Sequence, residues 1–334
     1  MDPKTRCSHT GFWLVIVFLG LGLLLSMALN AGLFAGLMAK GGASLTNKPE
    51  DEFPKLTEKW SSGTGDVKVV RIPVHGAIFR EVEDGFFGTA YDKIEVILRQ
   101  IRAARNDPKV RAILLDMDSP GGDMTASDEI YKALNDFKKS SDGRKVVTCI
   151  GNLGASGGYY VSLPSDWIVA EPTALVGSIG VILQTLNWKG LSERVGITDT
   201  TIKSGTNKDL LNPFHDVAPE QRALLQEVVD SLYQRFFGLV QTARGIDSSN
   251  LLAIADGRIF TADVALKHRL VDQVGYWEDA VAKVTELLGQ TSVKVIRYES
   301  KPGFLEMLSQ VRFPLNPSSW ASATTPRLLY LWKP

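Results

Sequence analysis

The stretch Gly154-Ala155-Ser156-Gly157-Gly158-Tyr159-Tyr160 holds one serine among small residues. It follows the apolar run Val146-Val147-Thr148-Cys149-Ile150, which reads as a short buried strand, and precedes Tyr159, Tyr160, Val161 and Leu163, spaced for a buried helix. A serine at such a turn presents its hydroxyl at a helix N-terminus, where free amides and the macrodipole favour developing negative charge. Gly154, Ser156 and Gly158 satisfy the G-x-S-x-G pattern of a nucleophile elbow. The pattern is short, and a glycine-rich turn whose serine merely caps the helix is the other reading of the same residues.

A serine hydroxyl is a weak nucleophile and needs a base within hydrogen-bond reach. Of the four histidines, His9 precedes a long apolar segment, His75 follows the first strand and His268 closes a late helix, leaving His215, beside a polar loop, as the remaining histidine candidate. No Ser–His–Asp set presents itself. Lysine is the alternative base, but only when burial or neighbouring charge depresses its pKa. Lys208 stands out in the loop Ser204-Gly205-Thr206-Asn207-Lys208-Asp209, which is followed by Leu210-Leu211 and Asn212-Pro213. The two cysteines, Cys7 and Cys149, fall on opposite sides of the apolar segment, so neither a disulfide scaffold nor a metal site is expected. No organic cofactor is expected either.

Positioning these residues requires a regular scaffold, and the chain predicts one. Val67–Ile78, Val110–Met117 and Val146–Ile150 read as strands, and Tyr91–Arg105 and Thr125–Lys139 as the helices between them. Asp118-Ser119-Pro120-Gly121-Gly122 is a strong turn. Such alternation predicts an α/β domain with largely parallel pairing. Further on, Trp167–Ala170, Val181–Leu186, Thr198–Lys203 and Val293–Ile296 read as strands. Helices are predicted at Trp188–Val195, Leu251–Ala255, Ala262–His268 and Trp277–Leu288. Pro219–Arg244 predicts a long amphipathic helix whose stripe, Leu224, Leu225, Val228, Leu232, Phe236 and Leu239, reads as core.

The chain is 334 residues long, 44% hydrophobic and 22% charged, as expected of a globular protein. Its 37 basic and 37 acidic residues cancel, leaving no basic field to attract nucleic acid. Gly11–Ala39 contains no charged residue, and about 20 apolar residues suffice to cross a bilayer as a helix. A cleaved signal peptide is the main competitor for this segment, but its apolar region is usually shorter, roughly 7–15 residues. Lys4 and Arg6 before the run place the N-terminus in the cytoplasm, although Lys40 on the other side weakens the bias. Residues 40–66, rich in Gly, Ser and acidic residues, read as a linker. The strongly apolar end Leu328-Leu329-Tyr330-Leu331-Trp332 is expected to dock on the domain, on a neighbouring subunit or on the membrane surface.

Taken in order, Asp118–Gly122, Gly154–Tyr160, Thr173-Ala174-Leu175-Val176-Gly177-Ser178-Ile179-Gly180-Val181, Ile202–Asp209, Ala255-Asp256-Gly257-Arg258-Ile259-Phe260-Thr261 and Leu270-Val271-Asp272 resemble bacterial signal peptide peptidase A, in its short, single-copy form. The resemblance runs from about residue 67 to 288. It implies a ClpP/crotonase-like fold, a repeated β-β-α superhelix, preceded by one N-terminal transmembrane helix. It also implies a serine protease with Ser156 as nucleophile, Lys208 as general base and Ser178 orienting the lysine. Gly122 and Gly157 would donate the oxyanion-hole amides.

The domains that follow are a cytoplasmic N-terminus at 1–10, an anchor at 11–39, a linker at 40–66, the protease domain at 67–290 and a C-terminal extension at 291–334. The resemblance further implies signal-peptide remnants as substrates and an extracytoplasmic protease domain on a single-pass anchor in the cytoplasmic membrane. A homo-oligomeric ring, an octamer with active sites shared between neighbours, completes the expectation. Two rival readings are a soluble crotonase-like acyl-CoA enzyme, which the anchor and the Ser156/Ser178/Lys208 set oppose, and a catalytically inactive, membrane-tethered peptide-binding or scaffold relative.

Overall fold

The computed structural model describes residues 17–30, 32, 52–54, 56–80, 83–84, 90–299 and 327–331. The chain divides into two units, Met1–Asp51 and Glu52–Pro334. In the first, residues 17–30 form helix α1 with exposed side chains. Among the described residues no helix is long and apolar enough to cross a membrane. Of the expected anchor at 11–39, residues 11–16, 31 and 33–39 lie outside the described residues, as does the whole of 1–10.

The second unit opens with β1 (Thr57–Ser62), β2 (Lys68–His75), β3 (Glu83–Asp84), β4 (Ala90–Tyr91), α2 (Lys93–Asn106), β5 (Val110–Ser119), β6 (Gly121–Asp123) and α3 (Met124–Lys139). Next come β7 (Lys145–Ala155), α4 (Gly157–Ser162), β8 (Trp167–Ala170), β9 (Leu175–Gly177), β10 (Ile182–Gln184), α5 (Lys189–Val195) and α6 (Pro219–Arg244). The chain continues through α7 (Ser248–Leu252), β11 (Ile259–Thr261), α8 (Ala262–Lys267), β12 (Gln273–Val274), α9 (Trp277–Leu287), β13 (Lys294–Glu299) and β14 (Arg327–Leu331).

The main sheet runs β1-β13-β2-β5-β7-β8-β12, with β1 antiparallel to β13 and the remaining neighbours parallel. The end of β7 also pairs with β9, and β9 with β11, giving nine strands. A parallel sheet is covered on both faces, so its strands carry near-continuous apolar runs. Successive side chains of β2 and β5 point to opposite faces. Val70, Ile72, Ile113 and Leu115 enter a core shared with α2, α3, α4 and α6, while Val69, Ala112 and Leu114 pack with Ala280 and Val284 of α9. The turns are set locally. Asp92 caps α2 by accepting from the amides of Ile94 and Glu95, and Asp123 caps α3 by accepting from Ala126. Pro219 starts α6, and Gly245, at φ 58°, ends it.

The expected α/β class with parallel pairing is thus observed, and four local expectations are corrected. Residues 57–62, read as linker, form β1, because β13 supplies a partner for a strand too polar to announce itself. Residues 294–299, assigned to the C-terminal extension, complete the main sheet between β1 and β2. Residues 198–203 form no strand: among the described residues no neighbouring strand pairs with them, and Ile202 is 97% exposed. The stripe of α6 is core only toward its C-terminal half, where Phe236, Phe237 and Val240 are buried; Leu224 and Val228 face outward.

Candidate active site

Strand β7 ends in Ala155, and the chain reverses at Ser156 into α4. Ser156 adopts φ 54° and ψ −116°, a sparsely populated conformation for a residue with a Cβ that stores roughly 1–3 kcal/mol of strain. Two backbone bonds hold it there: the Ser156 amide donates to Gly177 O at 2.7 Å, and Tyr160 N donates to Ser156 O at 2.8 Å. The side chain is 1% exposed and makes no capping bond to the helix, which excludes the reading of Ser156 as an ordinary helix cap.

The two glycine turns meet beside this serine. A Cβ on Gly157 would lie 2.6 Å from Ser127 Oγ and 3.1 Å from the Gly122 amide nitrogen, so only hydrogen fits. Gly121, at φ 88°, is equally confined: a Cβ there would collide with the Gly157 nitrogen and with the carbonyl oxygen of Tyr330. Ser119, marked in the sequence only as part of the turn and given no role of its own, shapes this turn. Its hydroxyl donates to Gly76 O at 2.7 Å and accepts from the Gly121 amide at 3.1 Å. A serine hydroxyl beside glycine amides is suited to acyl transfer, in which a tetrahedral oxyanion needs donors fixed in advance.

Ser178 follows the strand beside β7. Ala155 and Gly177 are register partners, so Ser156 and Ser178 emerge side by side; Ser178 also has positive φ, 52°, and is 6% exposed. The Ser178 amide donates to Arg258 O at 2.8 Å, tying the turn to the segment before β11.

Thus Ser156, Gly157, Gly122 and Ser178 cluster, and Lys208 does not join them within one chain. Lys208 is exposed in the loop after residue 203, its amide donating to Gly205 O at 3.1 Å, and it has no hydrogen bond to Ser156 or Ser178. The same region holds His215, whose Nε2 lies 3.0 Å from Asp199 Oδ2. His75 pairs with Asp116 at 3.2 Å and His268 packs against Phe260, so neither bonds to the serine, and His9 lies outside the described residues. Between β10 and the middle of α6, Leu186, Leu191, Val195, Ile197, Ile202 and Val228 are all exposed.

The C-terminal strand docks on the domain. β14 lies antiparallel between β10 and β6, with Tyr330 opposite Gly122 and Leu329 opposite both Asp123 and Ile182. It therefore runs along the glycine turn at the serine. Around it lies a side-chain network that spans distant parts of the sequence. The Tyr160 hydroxyl donates to Asp128 Oδ1 at 2.5 Å and accepts from Arg235 Nε at 3.2 Å, and Arg235 Nη2 bonds the same carboxylate oxygen at 2.5 Å. Burial and the bond to Asp128 push the Tyr160 hydroxyl well above the usual phenol range.

Residues 138–291 match Peptidase family S49. The chain is 37% identical to an Enterococcus faecium protein named for signal peptide peptidase SppA, over 73% of this chain and 70% of that one. A Synechocystis protein named as a protease is also 37% identical, over 68% of this chain and 77% of its own. Protease 4 of Salmonella typhi is 34% identical over 63% of this chain, which matches only 33% of that longer protein. The chain belongs to the S49 peptidases, in the signal peptide peptidase A family, and is a serine protease.

Proposed function

We propose that this protein is a membrane-anchored endopeptidase that uses Ser156 and Lys208 as a catalytic pair to degrade hydrophobic peptides, among them cleaved signal peptides. The observation that carries the reading is the strained, uncapped Ser156 beside the amides of Gly157 and Gly122. Ser156 Oγ attacks the scissile carbonyl carbon as its proton passes to a neutral lysine amine. The two glycine amides stabilise the oxyanion, and the lysinium returns the proton to the leaving amine. Water then hydrolyses the acyl-enzyme by the same route. Ser178, which emerges beside Ser156, then orients the amine in this mechanism.

Because Lys208 is exposed while Ser156 is buried, with no hydrogen bond between them within one chain, we take the base to come from a neighbouring copy. The exposed apolar side chains in that part of the chain, with Ile202 almost wholly open, support such an interface, since large exposed apolar side chains gain by burial on association. We take the assembly to be a ring of eight, with burial at the interface lowering the lysine pKa toward working pH. The β5-β6-α3 order fits a ClpP/crotonase-like superhelix. The charge-free run at 11–39 supports a single-pass anchor, N-terminus inside, with the peptidase domain on the outer side of the cytoplasmic membrane.

The test is hydrolysis of a fluorogenic Leu/Ala-rich peptide by the full chain in detergent, comparing Ser156→Ala and Lys208→Ala. Loss of at least about 10³-fold in both, with kcat/KM of the unsubstituted enzyme rising with pH, is expected. Activity surviving Lys208→Ala would assign the base elsewhere, His215 first. An intact but inert assembly would leave the scaffold reading.

A further inference from the structure

Between α5 and α6, residues 197–218 contain neither helix nor strand, yet they carry Lys208. The shape of such a segment is left to its side chains, and one carboxylate joins its two arms. Asp199 Oδ2 accepts from Thr201 Oγ1 at 2.7 Å, from Asn212 Nδ2 at 2.8 Å and from His215 Nε2 at 3.0 Å. A carboxylate only accepts, so His215 is fixed with a proton on Nε2. The bonds from Thr201 and Asn212, with His215 behind them, hold the Asp199 carboxyl below the usual carboxylate range. Bonds to an ionised acceptor are roughly twice as strong as neutral ones, and here three of them converge on one oxygen.

Lys208 lies on the stretch that this hub closes off. Lys203 Nζ donates to Asp209 Oδ1 at 2.7 Å and to Thr206 O at 3.4 Å, a second bridge across the segment on either side of Lys208. Gln221, in the first turn of α6, donates to Thr206 O at 3.3 Å. At the other end, Asn187 Nδ2 donates to His215 O at 3.1 Å and Trp188 N to Pro213 O at 2.6 Å. Of the three basic side chains in the segment, Lys203 and His215 are each held by a carboxylate. Among the described residues the Lys208 amine bonds to nothing, so the backbone that carries it sets where it can reach.

We propose that Asp199 is a positioning residue for catalysis: through Thr201, Asn212 and His215 it closes residues 199–215 into a clasp that presents Lys208 as the base. This rests on the Ser156–Lys208 pair proposed above. Asp199 touches neither substrate nor reacting atoms in this scheme. It acts through Lys208, so its loss slows proton transfer and leaves peptide binding as it was.

The test is hydrolysis of the fluorogenic Leu/Ala-rich peptide by the full chain in detergent. Asp199→Ala should lower kcat by about 10–100-fold, the effect of a catalytic group displaced by an ångström or so, with KM within about 2-fold. Asp199→Asn, which keeps an accepting oxygen at the same place, should stay within about 5-fold of the unsubstituted enzyme. Where Asp199→Ala fails to fold or assemble, Thr201→Val removes one donor, keeps the carboxylate and should lower kcat a few-fold. On a Lys208→Ala background either substitution should cost no further activity, because the group it positions is already gone. A merely structural role would multiply the two losses instead. Unchanged kcat in Asp199→Ala, or losses that multiply, overturns the proposal. Full activity in Lys208→Ala sinks the base assignment and the clasp with it, whereas an inactive Lys208→Ala beside a fully active Asp199→Ala sinks the clasp alone.

Discussion

Ser156 and Ser178 leave neighbouring parallel strands at the same level, linked by the 2.7 Å bond from the Ser156 amide to Gly177 O and both held at positive φ. That pairing places two hydroxyls at one end of the sheet by backbone register alone. On the proposed mechanism, replacing Ser178 with alanine should lower kcat by about 10–100-fold, because the base loses the hydroxyl proposed to orient it. KM and the melting temperature should stay nearly constant; a large fall in the melting temperature instead would make Ser178 structural.

Gly157→Ala should lower kcat/KM by about 10²-fold, because the new methyl must push aside Ser127 Oγ and the Gly122 amide, the proposed oxyanion donor. Steady-state kinetics on folded variant, checked by circular dichroism, reads this. Unchanged kcat/KM would remove these amides from the mechanism.

Arg244 and Asp272 hold the far end of the core. Arg244 Nη2 lies 2.7 Å from Asp272 Oδ1, and Asp272 Oδ2 also accepts from the Ile168 amide at 2.8 Å. Asp272→Ala leaves a largely buried guanidinium unpaired and should destabilise the fold by about 3 kcal/mol. Denaturant melts test this, and a change below about 1 kcal/mol would mean the pair is relaxed by water.

The Cys149 thiol is pushed up to about 12, chiefly by burial and then by the charges of Glu171 and Asp116. A raised thiol pKa keeps the neutral form below that pH, so alkylation of Cys149 at pH 8 should be slower than that of an ordinary thiol by roughly 10³-fold or more. Peptide mapping after timed iodoacetamide treatment checks the rate; modification at the rate of a free thiol would contradict it.

Much of this was legible in local pattern. The Val110–Met117 run announces a buried strand, the Gly154–Gly158 spacing marks the serine turn, and Pro219 and Gly245 bracket α6. What was hidden depends on partners distant in sequence. β1 reads as polar linker until β13, more than 200 residues later, supplies its register. The Tyr160–Asp128–Arg235 network joins residues 32 and 107 positions apart. The apparent strand at 198–203 has the right composition and no partner among the described residues, and half of the α6 stripe faces outward because none of the described residues covers it.

Ile202→Asp should disperse the proposed assembly. Light scattering should show the fall in mass, with activity lost in parallel and the melting temperature of the single chain nearly unchanged, since Ile202 buries nothing within it. A variant that keeps both mass and activity would place the interface elsewhere.

The most direct measurement mixes two inactive variants. Ser156→Ala and Lys208→Ala chains, unfolded together and reassembled in equal amounts, should regain about a quarter of full activity, because a site formed between neighbours is intact when one supplies the serine and the next the lysine. No recovery from a correctly assembled mixture would contradict a base supplied across the interface.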